Sequence, residues 1–362
     1  MNTTELSIII PVYNGQEYIG RCLDSVLRQR DVNKYEIIVV NDGSTDNTKK
    51  IVTDYANAHK NIHVINQENG GVSVARNNGI AASHGQYVTF VDCDDMVGLK
   101  VDAFDEYFKS ITRERKIGNM GTKRAYDFPT QFQSKHFSDT YFTNMLQAAK
   151  INDADVVFGG KITINLTESY SIRQVYDTNA LYGPDRKDKE TIMRIADTRE
   201  NANFALYSRK MLDTHNLRFL ANMKLDEDIL FCMLAVLYAD KVATVKDATY
   251  FYNRHENTLS NIINRHEMVQ KYKLAEIQRF SYLLNELGKM PQYPELFRHW
   301  LGEYAIKGEK YTYDSGDFPS KACGNKCDAE NCNECFIADA LREQFKENIK
   351  KYLDIKKKHP HH

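Results

Sequence analysis

Along the first hundred positions the spacing of apolar residues switches repeatedly between two periods. Leu6 to Val12 is a largely apolar run that reads as a strand, with Pro11, which cannot donate to a ladder, at its margin. Tyr18, Ile19, Cys22, Leu23, Val26 and Leu27 then recur at helical spacing, and Asn14, three residues before Glu17, has the form of a capping box. Tyr35 to Val40 reads as a second strand, and the turn Asp42-Gly43-Ser44-Thr45-Asp46 feeds a helix through Ile51, Val52 and Tyr55. Ile62 to Ile65 is a third strand, Glu68 to Gly71 a glycine-bearing loop, Val72 to Ser83 a third helix and Tyr87 to Val91 a fourth strand. Strands alternating with helices predict an α/β fold: a Rossmann-like, mostly parallel sheet flanked by helices.

In such sheets a ligand sits outside the carboxyl ends of the strands. The residues to inspect are therefore Tyr13 and Asn14, Asp42, Glu68 to Gly71, and Asp92 to Asp95. An aromatic face, an acceptor carboxylate, a glycine pair and an acidic turn together suit a nucleotide diphosphate. Taken singly, Tyr13 is equally a packed core aromatic and Asp42 equally a turn-forming residue. Asp92, Asp94 and Asp95 raise one another's pKa if crowded at a strand end, and a hard cation with oxygen ligands, Mg²⁺ or Mn²⁺, relieves that repulsion. A solvated acidic loop with Asp95 capping a helix is the plainer alternative.

Past Lys109 the pattern changes. Thr112 to Arg124 is rich in Arg and Lys, and Tyr126 to Phe142 mixes aromatics with Pro, Gln and Ser, so 112–142 reads as an insertion, either a solvated loop or a flap over the site. Ala154 to Ile164 returns to strand composition. Leu225 to Phe231 opens an apolar helix with Asp226, Glu227 and Asp228 in its first turn, where carboxylates also serve the helix dipole. Tyr272, Leu274, Ile277, Phe280, Leu283 and Leu284 form one stripe of a C-terminal helical extension. Cys323, Cys327, Cys332 and Cys335 lie close enough for a tetrahedral Zn²⁺ site, with idle reduced thiols and disulfides as the other readings. A last stripe, Ile337 to Leu353, ends in Lys356-Lys357-Lys358, which suits peripheral contact with an anionic inner membrane face or simply a solvated basic end.

Composition narrows the function classes. Forty-eight basic residues against 49 acidic ones argue against a nucleic-acid binder. The longest apolar stretch, Ile229 to Ala239, is about half of the ~20 residues that cross a bilayer, so no transmembrane helix is expected. The run from Leu6 is too short and too soon broken by Pro11 for a secretory signal, and a cytoplasmic location is expected. Seven cysteines is an odd count, and Cys22, Cys93 and Cys232 stand singly in apolar settings, as reduced thiols.

Four segments carry a specific resemblance: Ser7-Ile-Ile-Ile-Pro-Val-Tyr-Asn14, Glu36-Ile-Ile-Val-Val-Asn-Asp-Gly-Ser-Thr-Asp46, Asn69-Gly-Gly-Val-Ser-Val-Ala-Arg-Asn-Asn-Gly79 and Val91-Asp-Cys-Asp-Asp95. In this order they resemble the nucleotide-binding half of glycosyltransferase family 2. The resemblance implies a GT-A fold, a nucleotide-sugar donor of UDP type, a glycan or lipid-linked glycan acceptor, a Mn²⁺ or Mg²⁺ ion and an inverting mechanism. It implies that Pro11, Tyr13 and Asp42 bind the base, that Arg76 lies near the base or phosphates, and that Asp92 contacts ribose or sugar. It further implies that Asp94 or Asp95 ligates the metal. Glu227 and Asp228 resemble the acidic pair that supplies the catalytic base, with Asp228 the base itself. Tyr250 to Ser260 resembles a segment closing bacterial polysaccharide transferases, which implies that Arg254 and His255 meet the diphosphate; a surface loop after an edge strand is the plainer reading. On this reading residues 1–110 are the donor-binding half, 111–265 the acceptor-binding half and 266–362 the helical region with the cysteine cluster. A sugar nucleotidyltransferase would need a glycine-rich basic loop after the first strand, where this chain has Tyr13-Asn14-Gly15-Gln16. A non-catalytic binding or scaffold module is disfavoured by two intact acidic sets.

Overall fold

The structure, a computed structural model, describes residues 4–32, 34–99, 138–165, 172–174, 202–223, 225–254 and 266–290, with positions 296, 300, 347 and 350 beyond. The chain divides into two compact units: Met1–Ala221 with Ala235–Glu256, and Asn222–Leu234 with Asn257–His362.

The first unit opens as β1 (Leu6–Val12), α1 (Ile19–Leu27), β2 (Tyr35–Asp42), α2 (Thr48–Ala58), β3 (Ile62–Gln67), α3 (Val72–Ala82) and β4 (Tyr87–Phe90), so the alternation of periods is realised element by element. After β4 come β5 (Met96–Val97), α4 (Tyr141–Asn152), β6 (Val156–Asn165), β7 (Ile172–Gln174), β8 (Ala205–Ser208) and α5 (Arg209–Thr214). Then follow α6 (Glu227–Tyr238), β9 (Val242–Arg254) and, in the second unit, α7 (His266–Leu287). The helix α4 begins inside the stretch expected to be insertion. Its buried Tyr141, Phe142, Met145, Leu146 and Ala149 follow helical spacing that the irregular residues before it obscure.

The strands form one 9-stranded sheet in the order β3-β2-β1-β4-β8-β6-β9-β5, with β7 added to β6. From β3 to β4 the pairing is parallel, with registers such as Val39↔Val64, Ile8↔Ile37 and Ile8↔Thr89. Beyond β4 the sheet is mixed: β8 is antiparallel to both β4 and β6, β9 runs parallel to β6, and β5 is antiparallel to β9. Every residue of β1 is buried, so both faces of the central strand are covered.

Pro11 sits within β1 without cost. Ile9 accepts from Val91 N–H, so the backbone of Ile9 faces β4, and that of Pro11, two residues on, faces the same side. Pairing with β4 ends at Ile9↔Phe90, and no donor is needed there. Asn14 corrects an expectation: it does not cap α1, whose N-cap is Tyr18, four residues further on, with no side-chain cap bond. Asn14 adopts a left-handed φ of 48°, which asparagine tolerates, and its Oδ1 instead accepts from the Thr45 N–H at 2.8 Å.

Close approach of α3 to β1 requires Gly79. A Cβ built there falls 2.4 Å from Cγ2 of Ile9, a β-branched side chain that is fully buried and has little freedom to move. Gly79→Ala is expected to lower stability, because overpacking costs about 1–3 kcal/mol and the helix propensity regained is about 1 kcal/mol. A lower urea midpoint at unchanged m-value checks this; an unchanged or higher midpoint shows that the α3–β1 contact can open.

Candidate active site

The carboxyl ends of β1, β2 and β3 carry a set of mutually bonded loops. Asn14 N–H donates to Ser44 Oγ, Gly15 N–H to Thr48 Oγ1 and Gln16 N–H to Asp46 Oδ2, which laces the loop after β1 to the loop after β2. Tyr13 projects from this junction and is 51% exposed, so the packed-core reading does not hold for it. Asp42 ends β2 and is 3% exposed. Its Oδ1 accepts from Gln67 Nε2 and from Gly70 N–H, both at 2.8 Å, and its Oδ2 accepts from Gly71 N–H at 2.9 Å. Asp42 thereby ties the glycine loop ahead of α3 to the end of β2. Gly71 takes φ of 86°, a conformation that side chains resist, and it is what lets two successive N–H groups reach one carboxylate.

The acidic turn after β4 is held from several sides. Asp92 Oδ1 accepts from Arg76 Nη2 at 2.9 Å, and its Oδ2 accepts from Asn203 Nδ2. Arg76 is 3% exposed and its guanidinium lies over the Phe219 ring, 5.1 Å from the centroid. Arg76 is therefore joined to the acidic turn through Asp92. Asp95 points inward and is 0% exposed, accepting from Tyr250 OH at 2.6 Å and from Asn253 N–H at 2.8 Å. Burial, then the charges of Asp94 and Asp92, push its carboxyl well above the usual carboxylate range. Asp94, between these two, stays part-exposed. Asp94 and Asp95, indistinguishable by type in the sequence, thus differ in burial: Asp94 is part-exposed and Asp95 is a fully buried acceptor.

Cys22 and Cys93 adjoin this turn, and Cys22 Sγ donates to the Asp92 carbonyl at 3.4 Å. Burial, reinforced by the neighbouring aspartates, pushes both thiols up, so they remain neutral. Cys22, Cys93 and Cys232 are all free thiols, as expected. Asn203, Tyr250 and Asn253 are the contributors that sequence reasoning did not single out for this turn. Tyr250 and Asn253 lie in a motif quoted for its resemblance, but nothing in residue type announces their partners 155 to 159 positions away.

In the second unit, Asp226 precedes α6 with φ of 61°, and its carbonyl accepts from Leu230 N–H at 3.0 Å. Its carboxylate pairs with Arg279 of α7 at 3.4 Å, and Arg279 also reaches Glu276 at 3.5 Å, with all three residues buried. Glu227 and Asp228 form the first turn of α6, both part-exposed, and Asp228 Oδ1 accepts from Ile229 N–H at 2.8 Å. The three neighbouring acids therefore differ: Asp226 is a buried ion-pair partner, and Glu227 and Asp228 are accessible. Arg254 closes β9. His255, the 112–137 part of the insertion and Cys323, Cys327, Cys332 and Cys335 lie outside the described residues. Among the described residues no cluster of three or more metal-binding side chains occurs, and no helix is long and apolar enough to cross a membrane.

A family model described as glycosyl transferase family 2 matches residues 7–164. The chain is 30% identical over 280 residues to the uncharacterized glycosyltransferase EpsJ of Bacillus subtilis (strain 168), covering 76% of this chain and 70% of that protein. It is 28% identical over 251 residues to a poly(ribitol-phosphate) beta-glucosyltransferase of Bacillus spizizenii, covering 68% of this chain and 32% of the relative. The crystal structure of S. aureus TarS 1-349 in complex with UDP-GlcNAc matches with a TM-score of 0.58 at 19% identity, over 96% of this chain and 84% of that one. A likeness of that size speaks to the fold, the GT-A arrangement of a mixed sheet with flanking helices. The strand-end motifs fall inside the matched segment, and the likeness to EpsJ runs well beyond it. This chain is a glycosyltransferase and belongs to glycosyl transferase family 2.

Proposed function

We propose that the chain transfers one sugar, with inversion, from a uridine-type nucleoside-diphosphate donor to a hydroxyl of a glycan or lipid-linked glycan acceptor during synthesis of a bacterial surface polysaccharide. Residues 1–110 serve the donor and 111–265 the acceptor. The observation that carries the reading is the turn after β4, which gathers three carboxylates at a strand end, Asp95 fully buried and Asp92 and Asp94 part-exposed. A part-exposed carboxylate suits a cation that completes its shell with substrate phosphates, the usual arrangement for Mg²⁺ and its neighbours. Asp94 would hold Mn²⁺ or Mg²⁺ there, and such an ion, when bound, acts as a Lewis acid toward the departing diphosphate.

The chain's own groups do the rest. Tyr13 offers an exposed ring for the base to stack on, with Pro11 two residues before it in β1. Asp42 accepts three donors, and a carboxylate has about four acceptor positions, which leaves one for an imide N–H. Arg76 keeps Asp92 in place for a ribose or sugar hydroxyl. Asp228, with Glu227 beside it, takes the acceptor proton as the oxygen attacks the anomeric carbon. Arg254 and His255 are assigned to the diphosphate on the family resemblance alone. The relatives support the substrate class: TarS has been solved with UDP-GlcNAc, and the Bacillus spizizenii enzyme glucosylates poly(ribitol phosphate).

A panel of nucleotide sugars, incubated with the full chain and Mn²⁺ or Mg²⁺, tests the reading through nucleotide release. Release from a UDP-sugar above the others is expected. Release confined to donors with a purine base would overturn the uridine assignment.

A further inference from the structure

The Asp92–Asp95 turn has its own closing bond, from Asp95 N–H to the Asp92 carbonyl at 3.0 Å, and besides the bonds of Arg76, Asn203 and Cys22 to Asp92 it is supported from β9. The Tyr250 hydroxyl donates to Asp95 Oδ2 at 2.6 Å and accepts from the Asp92 N–H at 3.2 Å, so one oxygen grips both ends of the turn. Asn253 holds its middle and its end: the side-chain Nδ2 donates to the Asp94 carbonyl at 2.7 Å, and the backbone N–H donates to Asp95 Oδ1 at 2.8 Å. Just past the turn, β5 pairs with the same strand through Met96↔Phe251 and Val97↔Tyr250. Tyr250 is 0% exposed and Asn253 4%. These bonds of Tyr250 and Asn253 go to the turn itself and set where its part-exposed member, Asp94, stands.

We infer that Tyr250 and Asn253 are positioning residues for the cation site, holding Asp94 in the orientation in which it ligates the ion. The inference rests on the assignment of Asp94 proposed above. Its physical basis is that a carboxylate on a short turn binds an ion well only if its direction is settled beforehand, and losing a group that orients a metal ligand typically lowers metal affinity by about 10–100-fold. Tyr250 is buried, and phenylalanine reproduces its ring, whereas its hydroxyl, among the described residues, bonds to this turn alone.

The test uses the full chain and its Tyr250→Phe, Asn253→Ala and Asp94→Ala variants. UDP is titrated into each by calorimetry at a series of Mn²⁺ concentrations, with thermal melts recorded without the ion. Tyr250→Phe is expected to require about 10–100-fold more Mn²⁺ for half of the cation-dependent gain in UDP affinity, and to recover the unsubstituted chain's affinity once Mn²⁺ saturates. Asn253→Ala, which keeps the backbone bond to Asp95, should shift the curve in the same direction and decides the matter if Tyr250→Phe does not fold. An unshifted Mn²⁺ curve in the folded variant, or a loss of UDP affinity that saturating Mn²⁺ does not restore, overturns the positioning role. Asp94→Ala retaining the unsubstituted Mn²⁺ curve overturns the ligand assignment itself, whatever Tyr250→Phe shows.

Discussion

Asp228→Asn should slow sugar transfer by roughly 10²- to 10⁴-fold, the span that general-base assistance supplies, while nucleotide affinity is kept. The amide is nearly isosteric with the carboxylate, and its oxygen can still accept from Ile229 N–H, so the first turn of α6 retains that bond. What is lost is basicity: an amide does not take the acceptor proton at neutral pH. Removing one negative charge from the helix N-terminus costs about 0.3–1 kcal/mol of stability, too little to unfold the chain. Initial rates of transfer, paired with calorimetric titration of the nucleotide, separate the two quantities. A variant with near-normal turnover would leave Asp228 as a partner of the helix dipole and move the base to Glu227.

Asp94→Ala is expected to remove the cation-dependent part of nucleotide binding. Its neighbours are poorly placed to replace it. Asp92 accepts from Arg76 through one oxygen and from Asn203 through the other, and Asp95 faces Tyr250 and Asn253 in the interior. Recruiting either one means breaking charge-assisted or buried bonds, each worth about 1–3 kcal/mol. The backbone carbonyl of residue 94 that Asn253 holds survives the substitution, so the turn itself should persist. Titrating UDP with and without Mn²⁺ measures the effect directly. If the gain from Mn²⁺ is intact in the variant, the ion is held elsewhere.

The parallel half of the sheet was legible in the sequence for a simple reason. Strands buried on both faces are short apolar runs, and the helices between them are amphipathic, so β1, β2 and β4 declare themselves by period alone. Because ligands gather at the carboxyl ends of parallel strands, the same reading led to Tyr13, Asp42, Gly70, Gly71 and Asp92 to Asp95. Local bonding was less visible. Asn14 before Glu17 has the form of a cap, yet its side chain is taken by Thr45 across the neighbouring loop. The mixed half of the sheet was hidden as well: β8 joins β4 from more than a hundred residues away, as Tyr87↔Ser208 and Val88↔Tyr207, and no local pattern encodes that pairing.

The clearest division lies inside the acidic turn. Its sequence supplies three carboxylates at the end of a strand, and with them the need for counter-charge or hydrogen-bond donors. Which carboxylate is buried is a separate matter, decided by β9. Once Tyr250 and Asn253 reach the turn, Asp95 has donors waiting in the interior, while Arg76 and Asn203 occupy Asp92. A buried carboxylate is tolerable only where donors meet it, so the fold commits Asp95 to the inside and leaves Asp94 part-exposed. That choice depends on groups 155 and 158 residues apart meeting in space, which chain order does not specify and packing does.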